Sequence, residues 1–239
     1  MKKAVLITGG TSGIGKALAA AYLKAGASVA VCGRSQTALD LFSREHPQAL
    51  AIQADVTNPQ ARAAMLEAIG RAFGRLDILV NNAGVFIERS FVADPDPTRG
   101  LDEEIAINLT GPIHLTHEVL TRWPSPDAIV FVTSGFALVS PKRAPTYGAT
   151  KAGLHAFADS LRLQLSGRGT QVLELLPPTV DTPMNANLMG KKMAPEKVAT
   201  VTLKALAAGR EMALPGDTAL LPLLLRVAPG AAKKMVANM

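Results

Sequence analysis

The sequence has very little cysteine, few aromatic residues and a small share of charged residues. Cys32 is the single cysteine among 239 residues, which excludes an internal disulfide and favours a reducing compartment, so we expect a cytoplasmic protein. Charged residues make up 18% of the chain against 48% hydrophobic residues, a balance that excludes a disordered chain. Cys32 itself is expected to be a small buried hydrophobic residue.

Long apolar runs and dense basic clusters are also missing. No run reaches the length needed to cross a bilayer, so no transmembrane segment is expected. The formal charge is +6, but the basic residues occur at most in pairs and aromatics are only 4%, so nucleic acid is not an expected partner. No set of His, Cys, Asp and Glu has metal-site spacing, and we therefore expect no metal.

Apolar runs of strand length alternate with helical patterns along the whole chain. Seven such runs are predicted as strands: 5–8, 28–32, 49–53, 76–80, 128–133, 171–176 and 211–214. Strands that alternate with helices predict an α/β fold with a doubly wound parallel sheet, Rossmann-like, and helices on both faces. No linker interrupts the pattern, so we expect one domain over residues 1–239, with a cofactor half at about 1–125 and a catalytic and substrate half at about 126–239.

A glycine-rich turn separates the first predicted strand from the first helix. It contains Gly9, Thr11, Ser12, Gly13, Ile14 and Gly15. Glycines let the backbone turn tightly and approach a ligand, and a helix N-terminus offers unpaired N–H groups and partial positive charge. Strand, glycine turn and helix in this order predict a cradle for phosphate groups.

The end of the second predicted strand bears on the choice of dinucleotide. No Asp or Glu occurs between residues 28 and 38 to bind the ribose hydroxyls of NAD. Arg34 can instead pair with a 2′-phosphate through its planar guanidinium, and Ser12 and Ser35 can add hydroxyl donors. We therefore expect NADP(H) to be preferred over NAD(H).

Polar and small residues follow the third and fourth predicted strands. Asp55 has two interpretations: it accepts from an adenine amino group, or it caps the helix that Asn58 opens. The sequence NNAG at residues 81–84 contains small residues that let the chain pass close to a flat ligand, while the asparagine amides hold strand ends together.

Four further residues carry the predicted chemistry. Ser134 falls where the fifth strand ends, and Tyr147 and Lys151 lie one helical turn apart at the start of a helix. Ligands bind outside the carboxyl ends of parallel strands, so these three groups are expected to share a pocket. Asn108 lies in mid-helix shortly before Pro112, and we expect the helix to be distorted there.

In this order, the motifs resemble those of the short-chain dehydrogenase/reductase family. The resemblance rests on TGGTSGIG (8–15), NNAG (81–84), Asn108 in NLTG, Ser134 and YGATK (147–151). The sequence is most similar to a subset of oxidoreductases, some named for D-alanyl-lipoteichoic acid genes, which share a PPxVDTPM-like segment after the sixth strand. The substrates of that subset are poorly defined.

The resemblance implies an NADP(H)-dependent oxidoreductase that interconverts a carbonyl and a secondary alcohol by hydride transfer. Tyr147 would be the general acid/base, and Ser134 would hydrogen-bond the substrate oxygen. Lys151 and the positive nicotinamide ring would favour the phenolate of Tyr147, and Lys151 would also hold the nicotinamide ribose. Asn108 would bind a water that links Lys151 to solvent.

The resemblance also implies the cofactor contacts. They are Gly9, Thr11, Ser12, Gly13, Ile14 and Gly15 at the phosphates, Arg34 and Ser35 at the 2′-phosphate, Asp55 and Val56 at the adenine, Asn82, Ala83 and Gly84 along the adenosine and ribose side, Tyr147 and Lys151 at the nicotinamide ribose, and Val180 and Thr182 at the carboxamide. One departure is Pro178, which stands where the family commonly has glycine and which removes an N–H.

The expected partner is a small carbonyl or alcohol substrate, whose identity the sequence does not give. Its pocket would be lined by Phe86, Phe136, Leu138 and a lid at about 182–194. A homodimer or homotetramer is implied by the resemblance, and the leucine-rich stretch 219–225 is either a core or oligomer contact or a lipid contact. The alternative function is an NADP(H)-binding sensor or scaffold, which would not need Tyr147.

Overall fold

A parallel sheet forms the centre of the computed structural model, which describes residues 2–237. The strand order is β3-β2-β1-β4-β5-β6-β7. The strands are β1 (Ala4–Thr8), β2 (Ser28–Gly33), β3 (Leu50–Gln53), β4 (Ile78–Asn81), β5 (Ala128–Val132), β6 (Gln171–Leu175) and β7 (Met212–Ala213). The Rossmann-like parallel sheet expected from the sequence is confirmed, while residues 1, 238 and 239 of the expected domain lie outside the described part of the chain.

Helices connect the strands and continue to the end of the described chain. They are α1 (Gly13–Lys24), α2 (Gln36–Glu45), α3 (Pro59–Phe73), α4 (Leu101–Ile105), α5 (Gly111–Arg122), α6 (Pro145–Gln164), α7 (Pro195–Ala207), α8 (Leu221–Val227) and α9 (Pro229–Ala237). A π-helical turn, Ala106–Thr110, joins α4 to α5. This turn contains Asn108, which confirms the expected distortion of the helix before Pro112.

The sheet is covered on both faces because successive residues of each strand point to opposite sides. Val5 and Ile7 of β1 pack in a layer with α1, α2 and α7, whereas Leu6 packs in a second layer with α3, α5 and α6. All three side chains are fully buried, and burying each contributes about 1.5–3 kcal/mol. The continuous apolar runs of the sequence therefore match strands buried on both faces.

The strand order reverses between β1 and β4. β2 and β3 lie on one side of β1 in the sheet, and β4 to β7 follow in order on its other side. Helices that leave the two neighbouring strands in opposite directions open a crevice at the carboxyl ends of β1 and β4. The glycine turn and the NNAG segment both begin at this crevice.

The C-terminal segment contains two helices that begin at or next to a proline. Pro222 lies in the first turn of α8, and α9 begins at Pro229. Proline is tolerated at the start of a helix because the N–H groups there have no partner in the helix. Within residues 2–237, no helix has both the length and the apolar character needed to cross a membrane.

Candidate active site

A cavity of about 520 Å³ opens at the carboxyl ends of the central strands. Twelve of the predicted site residues line it: Gly9, Ser12, Gly13, Ile14, Asn82, Ala83, Gly84, Ser134, Tyr147, Lys151, Val180 and Thr182. The other predicted site residues lie outside its lining: Thr11, Gly15, Arg34, Ser35, Asp55, Val56 and Asn108. The fold thus brings the glycine turn and the Ser–Tyr–Lys set to one cavity.

The glycine turn is packed so closely that side chains are excluded from it. Gly9 and Gly13 have φ values of 63° and 51°, in the left-handed region that favours glycine. A Cβ on Gly15 would collide with the carbonyl oxygen of Gly9 and with the Asn82 amide. The Asn82 amide donates to the carbonyls of Thr8 (2.8 Å) and Gly9 (3.1 Å), so this side chain holds the ends of β1 and β4 together as expected.

The N-terminus of α1 has the features of an anion site. Ser12 is its N-cap but makes no side-chain capping hydrogen bond, and the first turn contains no acidic residue. By contrast, α2 and α3 are capped by the side chains of Ser35 and Asn58. The free N–H groups and partial positive charge of α1 therefore fit the pyrophosphate of a dinucleotide.

The residues expected around the adenosine end are engaged in contacts of their own. Arg34 Nη1 lies 2.8 Å from Glu103 Oε1, and both side chains are exposed. Asp55 Oδ1 accepts from the N–H and the hydroxyl of Thr57, each at 2.8 Å. The cap of α3 is therefore Asn58, and the interpretation of Asp55 as that cap is wrong.

Tyr147 and Lys151 are both buried in the cavity wall, at 8% and 4% exposure. Burial raises the pKa of Tyr147 to about 12, with a smaller contribution from Glu104, while a hydrogen bond with Ser134 acts in the opposite direction. Burial lowers the pKa of Lys151 to about 8. Lys151 Nζ lies 5.6 Å from the centre of the Tyr147 ring and donates to the carbonyl of Val132 at 2.9 Å.

The depressed pKa of Lys151 predicts how stability depends on pH. The unfolded chain keeps the lysine proton up to a pKa near 10.5 and the folded chain loses it near 8, so the unfolded state binds more protons between these values. The free energy of unfolding, relative to that of Lys151→Met, is expected to rise with pH by about 3 kcal/mol across this window.

Urea unfolding of both proteins at several pH values between about 7 and 10.5 measures this difference. The titration of Cys32 is common to both proteins, so it cancels, and folded Tyr147 keeps its proton over this range because burial raises its pKa to about 12. A constant difference over the whole range would contradict the predicted desolvation of Lys151.

Asn108 connects the segment after β4 to α6. Its Oδ1 accepts from the N–H of Val85 at 2.8 Å, and its Nδ2 donates to the Val85 carbonyl (2.9 Å) and to Thr150 Oγ1 (3.3 Å). A Cβ on Gly84 would lie 3.1 Å from Asn108 Oδ1, which is tighter than an ordinary contact, and 3.5 Å from Lys151 Nζ. The asparagine side chain therefore holds the segment that follows β4 close to Lys151.

The apolar wall was predicted in part. Phe86 packs edge-on against Tyr147 with ring centres 4.9 Å apart, and Phe136 does so at 6.3 Å. Leu138, expected in the lining, instead packs in a cluster with Val139 and the C-terminal helices. Sequence reasoning missed further lining residues, for which neither spacing nor motif gave a signal; among them are Arg143, Thr218, Leu221, Met235 and Val236.

Residues of the expected lid segment line the cavity, and the segment is anchored at its base. Val180 and Met193 form a parallel bridge, and Lys192 Nζ donates to the Asn185 carbonyl at 2.7 Å. The methyl of Thr182 approaches Gly13 so closely that a Cβ there would lie 2.9 Å from it. The start of this segment therefore closes against the glycine turn.

His155 on α6 contacts one buried and one exposed acidic side chain away from the cavity. Its Nδ1 lies 2.7 Å from Glu174 Oε2, and Glu174 Oε1 accepts from the Thr133 hydroxyl at 2.6 Å. Asp159 lies 3.6 Å from His155 Nε2. The side-chain nitrogen and oxygen atoms with which these three residues could bind a metal lie within 4.8 Å of one another. Their hydrogen bonds already account for this arrangement, which agrees with a structural role for the histidine.

Comparison with known proteins identifies similar chains. The family described as short chain dehydrogenase matches residues 3–192. The uncharacterized oxidoreductase DltE of Bacillus subtilis (strain 168) is 38% identical over 191 residues, which cover 79% of this chain and 75% of that protein.

Solved structures extend the similarity to nearly the whole chain. A short chain dehydrogenase from Burkholderia cenocepacia J2315 in complex with NADP superimposes with a TM-score of 0.86 at 24% identity, covering 98% of this chain and 97% of that one. A 3-ketoacyl-(acyl-carrier-protein) reductase from Brucella melitensis complexed with NADH gives a TM-score of 0.79 at 25% identity, covering 88% and 94%.

Proposed function

Because the chain belongs to the short-chain dehydrogenase family, we propose that it is an NADP(H)-dependent oxidoreductase that interconverts a carbonyl and a secondary alcohol. One observation carries the proposal: Ser134, Tyr147 and Lys151 line the same cavity as the uncapped N-terminus of α1. A buried phenol, hydroxyl and ammonium beside a phosphate cradle have the residue types that carbonyl reduction requires.

In the proposed reaction, bound NADPH would supply the hydride that forms the new C–H bond at the carbonyl carbon. Ser134 donates a hydrogen bond to the carbonyl oxygen and fixes its position beside Tyr147. The Tyr147 O–H gives its proton to that oxygen, so the alcohol leaves neutral and the phenolate remains. The phenolate then regains a proton from solvent, and the reverse reaction runs through the same groups.

The raised pKa of Tyr147 assigns a role to Lys151. With a pKa of about 12 the phenol is a reluctant acid near neutral pH, and its phenolate needs a nearby positive charge. Lys151 lies one helical turn away with its ammonium 5.6 Å from the ring centre. The lysine and the positive ring of the oxidised nicotinamide together would stabilise the phenolate.

The solved neighbours bind NADP in one case and NADH in the other, so the family alone does not decide which cofactor this chain prefers. We propose that Arg34 selects NADP(H). Its guanidinium is exposed at the end of β2 and would exchange Glu103 for the 2′-phosphate. Arg34→Ala is expected to weaken NADPH binding about ten- to a hundredfold and to change NADH binding little, since only NADPH carries the 2′-phosphate. Calorimetric titration of each nucleotide measures the two effects.

Arg44→Ala is the matched control, because it removes an exposed arginine from the last turn of the neighbouring helix α2. This control should leave both affinities unchanged. Equal losses of NADPH and NADH binding in Arg34→Ala would refute the 2′-phosphate role.

The reaction itself is tested by following NADPH consumption across a panel of ketones and aldehydes. Turnover of any member supports the proposed function, and NADPH binding without turnover of any member supports the sensor alternative. We also propose that residues 1–125 hold the cofactor, that residues 182–194 close over the substrate, and that the protein forms a homodimer or homotetramer, as is usual in the family.

A further inference from the structure

Arg143 places a positive charge beside the proposed proton donor. It lies four residues before Tyr147 and lines the cavity, and its side chain is 24% exposed. The guanidinium carbon is 5.1 Å from the centre of the Phe86 ring, and that ring is 4.9 Å from the Tyr147 ring. A single aromatic ring therefore separates the cation from the phenol.

The Arg143 side chain is held in place, but one of its hydrogen-bond donors has no acceptor. The Arg143 carbonyl accepts from the N–H of Arg89 at 2.9 Å, which fixes the backbone, and Nη1 pairs with Glu88. Nε of Arg143 is buried and has no hydrogen-bond partner within residues 2–237. A guanidinium offers five N–H donors, and a buried donor without an acceptor costs free energy. The side chain as a whole is 24% exposed and lines the cavity, so part of it can be reached by a ligand oxyanion.

Charges on the rest of the cavity wall favour an anion as well. The lining contains five cationic side chains, of which Arg143, Lys191, Lys192 and Lys197 are separate from the proposed catalytic lysine, against one carboxylate, Asp217. A cleft lined mostly by one sign of charge raises the local concentration of the opposite sign. The pyrophosphate would lie at the glycine turn, so Arg143 beside Phe86 is available to the substrate.

We propose that Arg143 binds an oxyanion of the substrate, and that the substrates are carbonyl compounds, or the matching alcohols, that carry a carboxylate or phosphate group. The assignment rests on the proposed function of the same cavity. Glu88 is the resting counter-ion; its side chain is 52% exposed, so it can leave Arg143 when an oxyanion arrives. The Phe86 ring would contact the carbon chain between the oxyanion and the carbonyl group.

The test compares matched neutral and anionic substrates on the full-length protein with NADPH. One pair is 4-oxopentanoate and its methyl ester, and the other is dihydroxyacetone phosphate and dihydroxyacetone; the pairs separate a carboxylate from a phosphate source. The ratio of kcat/KM for the anionic over the neutral member is measured in the wild type, in Arg143→Met and in Lys142→Met. Lys142 is the exposed neighbour of Arg143, so its loss changes the net charge equally.

Arg143→Met is expected to lower this ratio about thirtyfold for at least one pair, the size of one charge-assisted hydrogen bond, while Lys142→Met leaves it unchanged. Glu88→Gln keeps Arg143 and removes its counter-ion, and it is expected to raise the ratio up to about fivefold. An unchanged ratio in Arg143→Met for both pairs, or a wild type that prefers the neutral member of each, would overturn the assignment.

A binding measurement separates this inference from the proposed function. Calorimetric titration of 4-oxopentanoate and of dihydroxyacetone phosphate into the protein–NADPH complex needs no turnover. Binding of either probe that Arg143→Met abolishes and Lys142→Met retains supports the oxyanion site even where no carbonyl is reduced, in which case the proposed reaction alone fails. Binding that Arg143→Met leaves intact overturns the oxyanion site.

Discussion

Replacing Tyr147 by phenylalanine is expected to lower kcat by about a hundredfold to ten-thousandfold, the range that general acid–base groups contribute. The change removes the phenol oxygen and keeps the ring, so the edge-on contacts with Phe86 and Phe136 are retained. NADPH binding should therefore survive while proton transfer to the carbonyl oxygen is lost. Steady-state kinetics with a ketone that the wild type reduces measure the loss of proton transfer, and titration of NADPH measures cofactor binding.

The chain provides a matched control in its second tyrosine. Tyr22 lies on α1, is also buried, and its hydroxyl has no hydrogen-bond partner among the described residues. Tyr22→Phe removes the same atom from a core position and should leave kcat unchanged. Turnover by Tyr147→Phe at the wild-type rate would eliminate the proposed acid–base role.

Replacing Arg89 by methionine is expected to lower the free energy of unfolding by about 3–5 kcal/mol. Arg89 Nη2 pairs with Glu104 Oε2 at 2.8 Å, and both side chains are buried, at 3% and 0% exposure. The substitution leaves the Glu104 carboxylate inside the protein with the Thr146 hydroxyl as its remaining donor at 2.6 Å. An uncompensated buried charge is much more costly than the loss of an exposed pair. Urea unfolding with an unchanged m-value measures the change.

Two further variants test whether the buried charge is the cause. Arg99→Met removes an exposed arginine from the same segment and should change stability by less than about 0.5 kcal/mol. The double variant Arg89→Met/Glu104→Gln removes both charges and should recover much of the loss. A double variant as unstable as the sum of the two single variants would show that the pair is not coupled.

The same pair also contributes to the geometry of the proposed site. The hydroxyl of Thr146, which precedes Tyr147 in the chain, donates to Glu104, and the backbone N–H of Arg89 donates to the Arg143 carbonyl. The carboxylate contributes to the raised pKa of Tyr147 as well. Loss of the Glu104 carboxylate is therefore expected to affect catalysis and stability together.

The strands, the glycine turn and the Tyr–Lys helix could be predicted because local patterns specify them. A strand buried on both faces must be apolar throughout, as 128–132 is, and a close turn must contain glycine where φ is positive, as at Gly9 and Gly13. These constraints act within a few residues and are visible in the sequence. The spacing of Tyr147 and Lys151 likewise needs only a helix.

The buried charges and the C-terminal helices could not be predicted in the same way. Glu104, Arg89 and Glu174 are completely or nearly buried, yet their residue types are usually exposed, and only distant partners make their burial tolerable. Pro222 and Pro229 look like helix breakers in the sequence and instead lie at helix starts. The contribution of α8 and α9 to the cavity wall depends on that packing.

The bridge between Val180 and Met193 has a consequence for the entry and exit of ligands at the cavity. Its flanking hydrogen bonds, Asp181 N–H to the Met193 carbonyl and Met193 N–H to the Thr179 carbonyl, are both 2.9 Å long. The two ends of the intervening segment are therefore joined in one stem. If residues 182–194 close over the substrate as proposed, the segment would swing about this stem to exchange molecules, while the stem and Val180 would keep their shape.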